Sequence, residues 1–502
     1  MNWWQKSILA GILAAAAFPP MPTVFAFALI PAFLWLIRIA EESPSGRAAM
    51  MRVYPGLLVW NILTTYWLAM ATVGGGVAAI LANAVVMSIP FGLYRRFRKP
   101  HHSHLQNATL FIALYIGFEW IHHQWDLAWP WLTLGNAFSN ATAIVQWIEL
   151  TGVLGLSAWI LTAVFLSKKP TRTGAAFVAL PVVASLVLFF TLRETPTGSL
   201  PTLIVQPNID SYAPYEEFGS DAEILDTLMA LTSRGVTDRT ALVLWPENSI
   251  EGWVYPDPSR FPNPVLQRGA MQWNSTLIGG ATYFKSFPSS EEAPIPHRLT
   301  GSGIPYTMYN AALAWQPDGS TQVYGKRRLV PIVERLPFVT QLAWLMPSVD
   351  WTGLMGFGKG TESANLPVGG LQVTGLVCYD SVFPGWVRRQ VRDGAGIVGI
   401  ITNDGWWGDT GGHEQHFAYA RLRAIETRRA VARSANNGIS GVILPDGSVS
   451  FRTDYWTRVT HHTDIPIYSR TTLYVRFGDI VIGGLIVLGL AISFGSKRRY
   501  SA

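Results

Sequence analysis

Between Lys6 and Arg38 the chain runs from Ser7 to Ile37, 31 residues, without a charge, and Val53 to Tyr94 is a second uncharged run of 42 residues. One helix crosses the hydrocarbon core of a bilayer with about 20 apolar residues. Each run therefore holds two spans, the first folded at Pro19, Pro20 and Pro22, the second at Gly74, Gly75 and Gly76. Ala108 to Phe118, Leu150 to Leu166, Gly174 to Leu192 and Ile480 to Gly495 bring the candidate spans to eight. Only 14% of the 502 residues are charged, against about 25% in soluble domains, which argues against an ordinary cytosolic enzyme and against disorder. A single cysteine, Cys378, excludes an intrachain disulfide and a four-cysteine zinc site.

Cytoplasmic loops collect Lys and Arg, and the basic residues alternate from loop to loop. Lys6 precedes the first span; Arg38, Arg47 and Arg52 follow the second; Arg95, Arg96, Arg98 and Lys99 follow the fourth; Lys168, Lys169 and Arg172 follow the sixth; Lys497, Arg498 and Arg499 follow the eighth. The other connections, around Pro19, around Gly74 to Gly76 and from His122 to Asn140, carry neither Lys nor Arg. Both termini are expected in the cytoplasm. Met1 to Ala17 also has the make-up of a cleaved leader, but Pro19-Pro20 and the lack of a polar stretch favour a retained span. Trp125, Trp129, Trp131 and Trp147 are expected at the outer interface, with Glu149 beside it.

The 277 residues from Leu200 to Arg476 have a different texture, and the charge rule places them outside the cytoplasm. Thr202 to Val205, Ala241 to Leu244, Thr276 to Ile278, Ala311 to Trp315, Leu371 to Val377 and Ile397 to Thr402 read as buried strands. Asp318-Gly319 and Asp446-Gly447 mark hairpins, and Lys285 to Ile304 reads as a surface loop. Glu414 to Ser434, with Phe417, Ala420, Leu422, Ile425 and Val431 at helical spacing, reads as a helix, with Arg421, Arg423, Arg428, Arg429 and Arg433 on a solvated or ion-paired face. The result is an α/β domain of layered sheets. The division is 1–199 for spans one to seven, 200–476 for the globular domain and 477–502 for the last span and basic tail.

Chemistry-bearing residues stand at the ends of these strands. Leu371 to Val377 runs into Cys378-Tyr379-Asp380, Ala241 to Leu244 into Trp245-Pro246-Glu247, and the first hairpin is followed by Tyr324-Gly325-Lys326. A thiol with pKa near 8.5 is mostly protonated at neutral pH, so it needs a base, and a tetrahedral oxyanion needs a fixed cation. Taken singly, the cysteine fills a core as readily as it attacks, the glutamate caps or pairs, and the lysine is one base among several.

Glu, Lys and Cys in this order resemble the triad of the nitrilase, or carbon-nitrogen hydrolase, superfamily. The phrases Leu329-Val330-Pro331, Phe383-Pro384 and Asn403-Asp404-Gly405-Trp406-Trp407-Gly408 strengthen the likeness. With the spans, and with Phe18-Pro19-Pro20, Trp129-Pro130-Trp131-Leu132, Gln206-Pro207-Asn208-Ile209, Arg423-Ala424-Ile425-Glu426-Thr427 and Asn437-Gly438-Ile439-Ser440, nearly the whole chain resembles the bacterial apolipoprotein N-acyltransferase family. The resemblance implies a polytopic α-helical membrane domain of about eight spans plus an α/β nitrilase-like α-β-β-α sandwich. It implies transfer of an acyl chain from a phospholipid, usually phosphatidylethanolamine, through a thioester to the α-amine of a diacylated apolipoprotein. Carried over by motif, Cys378 is the nucleophile, Glu247 the general base and Lys326 the oxyanion partner, supported by Glu334, Tyr379 and Asp380. It implies the bacterial inner membrane with a periplasmic catalytic domain, a monomer, membrane-lipid partners, no nucleic acid, no cofactor and no metal.

Three positions depart from the pattern. Asp380 stands where the family has glutamate, Val333 where a glycine precedes the second glutamate, and Tyr215 where a tryptophan follows the first strand. Tyr215, Phe338 and Trp344 are candidate substrate contacts, the last two in a lipid-touching arm from Leu336 to Met355. Gly353 to Lys359 spells a P-loop only as far as its lysine, and His413 with His416 lacks the further ligands a metal needs. A membrane-tethered nitrilase-like amidase using the same three residues is the alternative function.

Overall fold

The computed structural model describes residues 1–191, 194–346, 348–351 and 353–494; Leu192, Gly495 and the basic tail with Lys497, Arg498 and Arg499 lie outside them. The chain divides into two compact units, Met1–Arg193 with Thr472–Ala502, and Glu194–Thr471.

In the first unit every apolar run carries a helix: Trp3–Ala16, Leu29–Glu41, Gly46–Thr65, Val73–Phe97, His104–His122, Ile148–Lys168, Arg172–Thr191 and Ile480–Phe494. Four helical stretches, Thr23–Glu41, Val73–Phe97, Ile148–Lys168 and Arg172–Thr191, are long and apolar enough to cross a membrane. Glu41 ties two others to its own helix, accepting from Tyr94 Oη (2.9 Å) and Lys168 Nζ (3.2 Å). The glycine turn falls elsewhere than expected. The chain bends at Tyr66 to Thr72, and Gly74, Gly75 and Gly76 open the next helix; a Cβ on Gly76 would lie 2.6 Å from Ala69 N, so the residue is needed for close approach. Trp129 and Trp131 are buried against Trp67 (ring centroids 6.3 and 4.8 Å). Glu149 is buried as well.

The second unit is built on two main sheets. Its strands are β1 Gly198–Gln206, β2 Leu242–Leu244, β3 Ile250–Val254, β4 Thr276–Ser286, β5 Arg298–Leu299, β6 Pro305–Trp315, β7 Thr321–Gly325, β8 Asn365–Val368, β9 Leu371–Thr374, β10 Leu376–Val377, β11 Val398–Thr402, β12 Val431–Ala435, β13 Gly441–Ile443, β14 Val449–Arg452 and β15 Val459–Ile467. One sheet runs β15-β1-β2-β4-β6-β5, with β3 on β4 and β7 on β6; the other runs β10-β11-β12-β13-β14. In the first, parallel strands β1, β2 and β4 lie between antiparallel β15 and β6; in the second, parallel β10, β11 and β12 are followed by antiparallel β13 and β14. The sheets face one another, joined where Ser434 Oγ donates to Val205 O (2.8 Å).

Helices Asp221–Gly235 and Asn263–Trp273 cover the first sheet, burying Leu225, Leu228, Leu266 and Ala270 with Leu203, Val243 and Leu277. Helix Gly411–Thr427 packs on β12 and β13. This is the α-β-β-α sandwich, and its parallel strands point their carboxyl ends at a common place, where such folds carry ligands.

Two expectations are corrected. Leu371 to Val377 is not one strand: it changes partner at Gly375, with β9 pairing β8 and β10 pairing β11. Glu414 to Ser434 is not one helix either. It stops at Thr427 because Arg428 adopts a left-handed conformation (φ 50°, ψ 44°), and Val431 to Ser434 belong to β12. The arginines Arg423, Arg428, Arg429 and Arg433 are buried; Arg423 pairs with Glu426 and Arg433 with Asp404, as an ion-paired face requires, and further donors go to Val382 O, Pro445 O, Ala395 O and Ile439 O.

Candidate active site

Strand ends deliver the three central side chains. Glu247 follows β2, and β4 passes directly beneath it: a Cβ on Gly280 would lie 2.5 Å from Glu247 Cα, so only glycine permits that approach. Lys326 follows β7, its N–H donating to Asn310 O (2.7 Å). Cys378 follows β10 and turns the chain sharply, with φ 45°, a backbone region that residues bearing a Cβ seldom occupy.

These residues meet in a buried cluster: Glu247 is 3% exposed, Lys326 1% and Cys378 7%. Lys326 Nζ lies 3.3 Å from Glu247 Oε1 and 2.7 Å from Glu334 Oε1. Asn310, which the sequence did not single out, donates its amide to both carboxylates, at 2.7 Å to Glu247 and 3.0 Å to Glu334. The second oxygen of Glu247 accepts the Asn403 N–H (3.0 Å), and that of Glu334 accepts the Val330 N–H (2.7 Å). Every carboxylate oxygen in the cluster is satisfied, as buried charge requires.

Burial works against the Lys326 ammonium, but Glu247 and Glu334 outweigh it and hold its pKa well above the ordinary lysine value. The Cys378 thiol is pushed well up, by burial first and by the Glu247 charge second, with Lys326 pulling the other way. A neutral thiol, a carboxylate and a permanent cation therefore share one water-poor site. Cysteine in such a place reacts only after losing its proton.

Asp380 is buried and takes hydrogen bonds from Tyr324 Oη (2.8 Å), Arg328 N (2.7 Å) and Val377 N (3.3 Å). Burial raises its carboxyl to about 6 against the pull of Lys326 and these bonds. Trp386 Nε1 donates to the same Tyr324 oxygen (3.0 Å). Tyr379 is buried edge-on to Phe383. Val333 is accommodated at an exposed position, and the left-handed residue of that loop is Ile332, with φ 70°.

The candidate substrate contacts are dispersed. Tyr215 sits in the short helix Pro214–Glu217, exposed, its hydroxyl on Asp221 (2.6 Å). Phe338, half-buried, precedes helix Val339–Leu345. On that helix Val339 and Ala343 face inward while Trp344 is 75% exposed. Gly353 to Lys359 leads into strand β8 and not into a helix, so it lacks the helix N-terminus a P-loop needs.

Cys378, Asp404 and His416 each bring a ligand atom within 4.8 Å of the others. Arg433 Nη2 already holds Asp404 at 2.6 Å and stands 3.1 Å from His416 Nδ1. That guanidinium neutralises the only carboxylate of the trio, a poor setting for a cation.

Two family models match the chain: apolipoprotein N-acyltransferase N-terminal domain over residues 10–166, and carbon-nitrogen hydrolase over residues 204–471. Apolipoprotein N-acyltransferase of Chlorobaculum tepidum is 31% identical, with 97% of this chain and 96% of that one covered. The protein of the same name from Bradyrhizobium diazoefficiens is 28% identical over 99% and 96%. Among solved structures, a CN-hydrolase superfamily protein from Xanthomonas campestris covers 57% of this chain and 97% of its own, at 19% identity and a TM-score of 0.39. On these matches and its apolar helices, the chain belongs to the apolipoprotein N-acyltransferase family, as a membrane enzyme of the carbon-nitrogen hydrolase superfamily.

Proposed function

We propose that the protein transfers a fatty acyl chain from a phospholipid, in the first instance phosphatidylethanolamine, to the α-amine of the diacylglyceryl-cysteine of apolipoproteins through a thioester on Cys378. The observation that carries this reading is the buried Glu247, Lys326 and Cys378 cluster in a chain of this family.

In the first half, Glu247 takes the thiol proton and the thiolate attacks the ester carbonyl, forming a C–S bond. The oxyanion develops beside the Lys326 ammonium, whose donors are preorganised for it. Collapse breaks the ester C–O bond, and the leaving lysophospholipid oxygen takes the proton back from Glu247. In the second half a neutral amine attacks the thioester; its pKa near 8 leaves a useful neutral fraction at pH 7. Glu247 accepts the amine proton as the amide forms and returns it to the departing sulfur. Two substrates of one leaflet thus use one site in turn, the logic of covalent ping-pong catalysis.

Glu334 and Asn310 fix the lysine and the base, and Asp380 with Tyr379 supports the turn at Cys378. The arm from Leu336 to Met355, with Trp344, Leu345 and Leu354 exposed, suits contact with lipid, and Tyr215 and Phe338 are further candidates there. The alternation of basic loops supports an inner-membrane protein with cytoplasmic termini and a periplasmic catalytic domain.

The test is conversion of a synthetic diacylglyceryl-cysteine peptide, incubated with the purified protein and phosphatidylethanolamine. A mass gain of one acyl chain on the peptide α-amine supports the proposal; an unchanged peptide with free fatty acid released contradicts it.

A further inference from the structure

Behind Cys378 lies a buried polar chain that the mechanism above does not use. Ser381 Oγ donates to the Cys378 carbonyl oxygen (2.7 Å), and His416 Nε2 stands 3.2 Å from that oxygen and 2.9 Å from Ser381 Oγ. On the far edge of the ring, Nδ1 lies 3.0 Å from Asp404 Oδ1 and 3.1 Å from Arg433 Nη2. Arg433 also donates to Asp404 Oδ2 (2.6 Å), and Thr402 Oγ1 donates to Asp404 Oδ1 (2.8 Å). All five side chains are within 2% of complete burial.

The position of this chain says what it does. Cys378 holds a left-handed backbone with φ 45°, which costs a residue with a Cβ conformational energy and persists only where its surroundings over-determine it. The carbonyl that follows from this turn is the atom on which Ser381 and His416 converge. His416 Nε2 lies within hydrogen-bond distance of two oxygens of the turn, and the tautomer that accepts from Arg433 Nη2 at Nδ1 carries its proton on Nε2, toward them.

The segment Thr402-Asn403-Asp404 that anchors His416 also touches the reacting groups. The Thr402 side chain hydrogen-bonds to the Cys378 thiol, and the Asn403 N–H holds Glu247. Base, nucleophile and histidine are thus referred to one strand end.

We propose that His416, clamped by Asp404 and Arg433, is a positioning residue that together with Ser381 locks the Cys378 turn and aims the sulfur at the incoming carbonyl. This rests on the reading of Cys378 as the nucleophile. Loss of the donor lets the turn relax, and a displacement of the order of 1 Å costs about 100-fold in rate.

The test uses the full-length protein in lipid nanodiscs, with His416→Leu, His416→Gln and Ser381→Ala. Iodoacetamide can alkylate only one thiol in this chain, so intact mass reads the alkylation rate of Cys378 with no acyl donor present, across pH 6 to 10. Acylation by phosphatidylethanolamine is then followed separately. His416→Leu is expected to slow acylation about 10- to 100-fold with the lipid KM unchanged, and to alter the alkylation profile. His416→Gln, whose amide puts a donor near the same place, is expected to restore acylation to within about threefold.

Wild-type acylation and alkylation in a folded His416→Leu protein overturn the proposal. So does a folded His416→Gln protein as impaired as the leucine variant. Should His416→Leu fail to fold, Ser381→Ala decides: it removes one of two donors, and an unchanged acylation rate overturns the proposal where a several-fold loss supports it. A wild-type protein alkylated at Cys378 but never acylated contradicts the acyltransferase reading and leaves the positioning role to the alkylation profiles.

Discussion

Asn310 approaches Glu247 Oε1 to 2.7 Å, closer than the 3.3 Å at which Lys326 pairs with the same oxygen, while Lys326 lies at 2.7 Å from Glu334. The cation leans on the second glutamate, and a neutral amide holds the first. In the proposed mechanism this divides the roles: Glu334 keeps the lysine in place, and Glu247 takes the proton. Asn310→Leu removes the shared donor from both carboxylates, and acylation of Cys378 is expected to fall about 10-fold or more with little change in lipid KM. Single-turnover kinetics on the purified variant check it.

The raised carboxyl of Asp380 makes a pH prediction. Its folded pKa of about 6 lies above the unfolded value near 3.9, so the folded state binds this proton more tightly. The stability it contributes is complete below pH 4 and is lost as pH rises through 6, up to about 3 kcal/mol. Asp380→Asn does not titrate, so its melting midpoint relative to wild type should improve from pH 4.5 to pH 7. Parallel midpoints across that range would contradict the assignment.

Buried arginine is expected to behave differently from exposed arginine. Arg433→Met strands Asp404 without its guanidinium in the core, and breaking a buried pair of this kind costs about 3–5 kcal/mol. Arg389, half-exposed and 3.7 Å from Asp393, should cost about 0.5 kcal/mol or less when changed to Met. Thermal unfolding of the two variants side by side separates these outcomes.

The exposed ring of Trp344 offers a test of the arm. Trp344→Ser removes no core contact, so stability should change by about 0.5 kcal/mol or less. If the arm touches lipid, the KM for phosphatidylethanolamine rises several-fold, and a steady-state titration in mixed micelles measures it. An unchanged KM removes the arm from the substrate path.

Much of the candidate site was legible because the residues that compose it sit at punctuation marks in the sequence. Glu247 and Cys378 each end an apolar β-branched run, and Lys326 follows a Asp-Gly hairpin. Where the sequence was not legible, the partners are distant in the chain or the backbone turns without a marker, and neither leaves a periodic trace. Asn310 is a single amide amid the apolar residues of β6, marked only by being polar where its neighbours Ala311 and Ala312 are buried. Arg423 and Arg433 read as a solvated or ion-paired face of one helix; both are ion-paired, but in the core, and Arg433 lies on β12. The helix before β12 ends at a left-handed arginine with no glycine to announce it. Ser381, His416, Asp404 and Arg433 come from four elements, and only the folded sheets bring them behind one cysteine.

The central claim is that Cys378 carries the acyl group. Intact-mass analysis of the purified protein after exposure to phosphatidylethanolamine should show a gain of one acyl chain, removed by hydroxylamine. The adduct should be absent from Cys378→Ala and strongly reduced in Glu247→Ala and Lys326→Ala. Lipid bound without any mass gain in the wild type, or an equal gain in Cys378→Ala, would contradict the account.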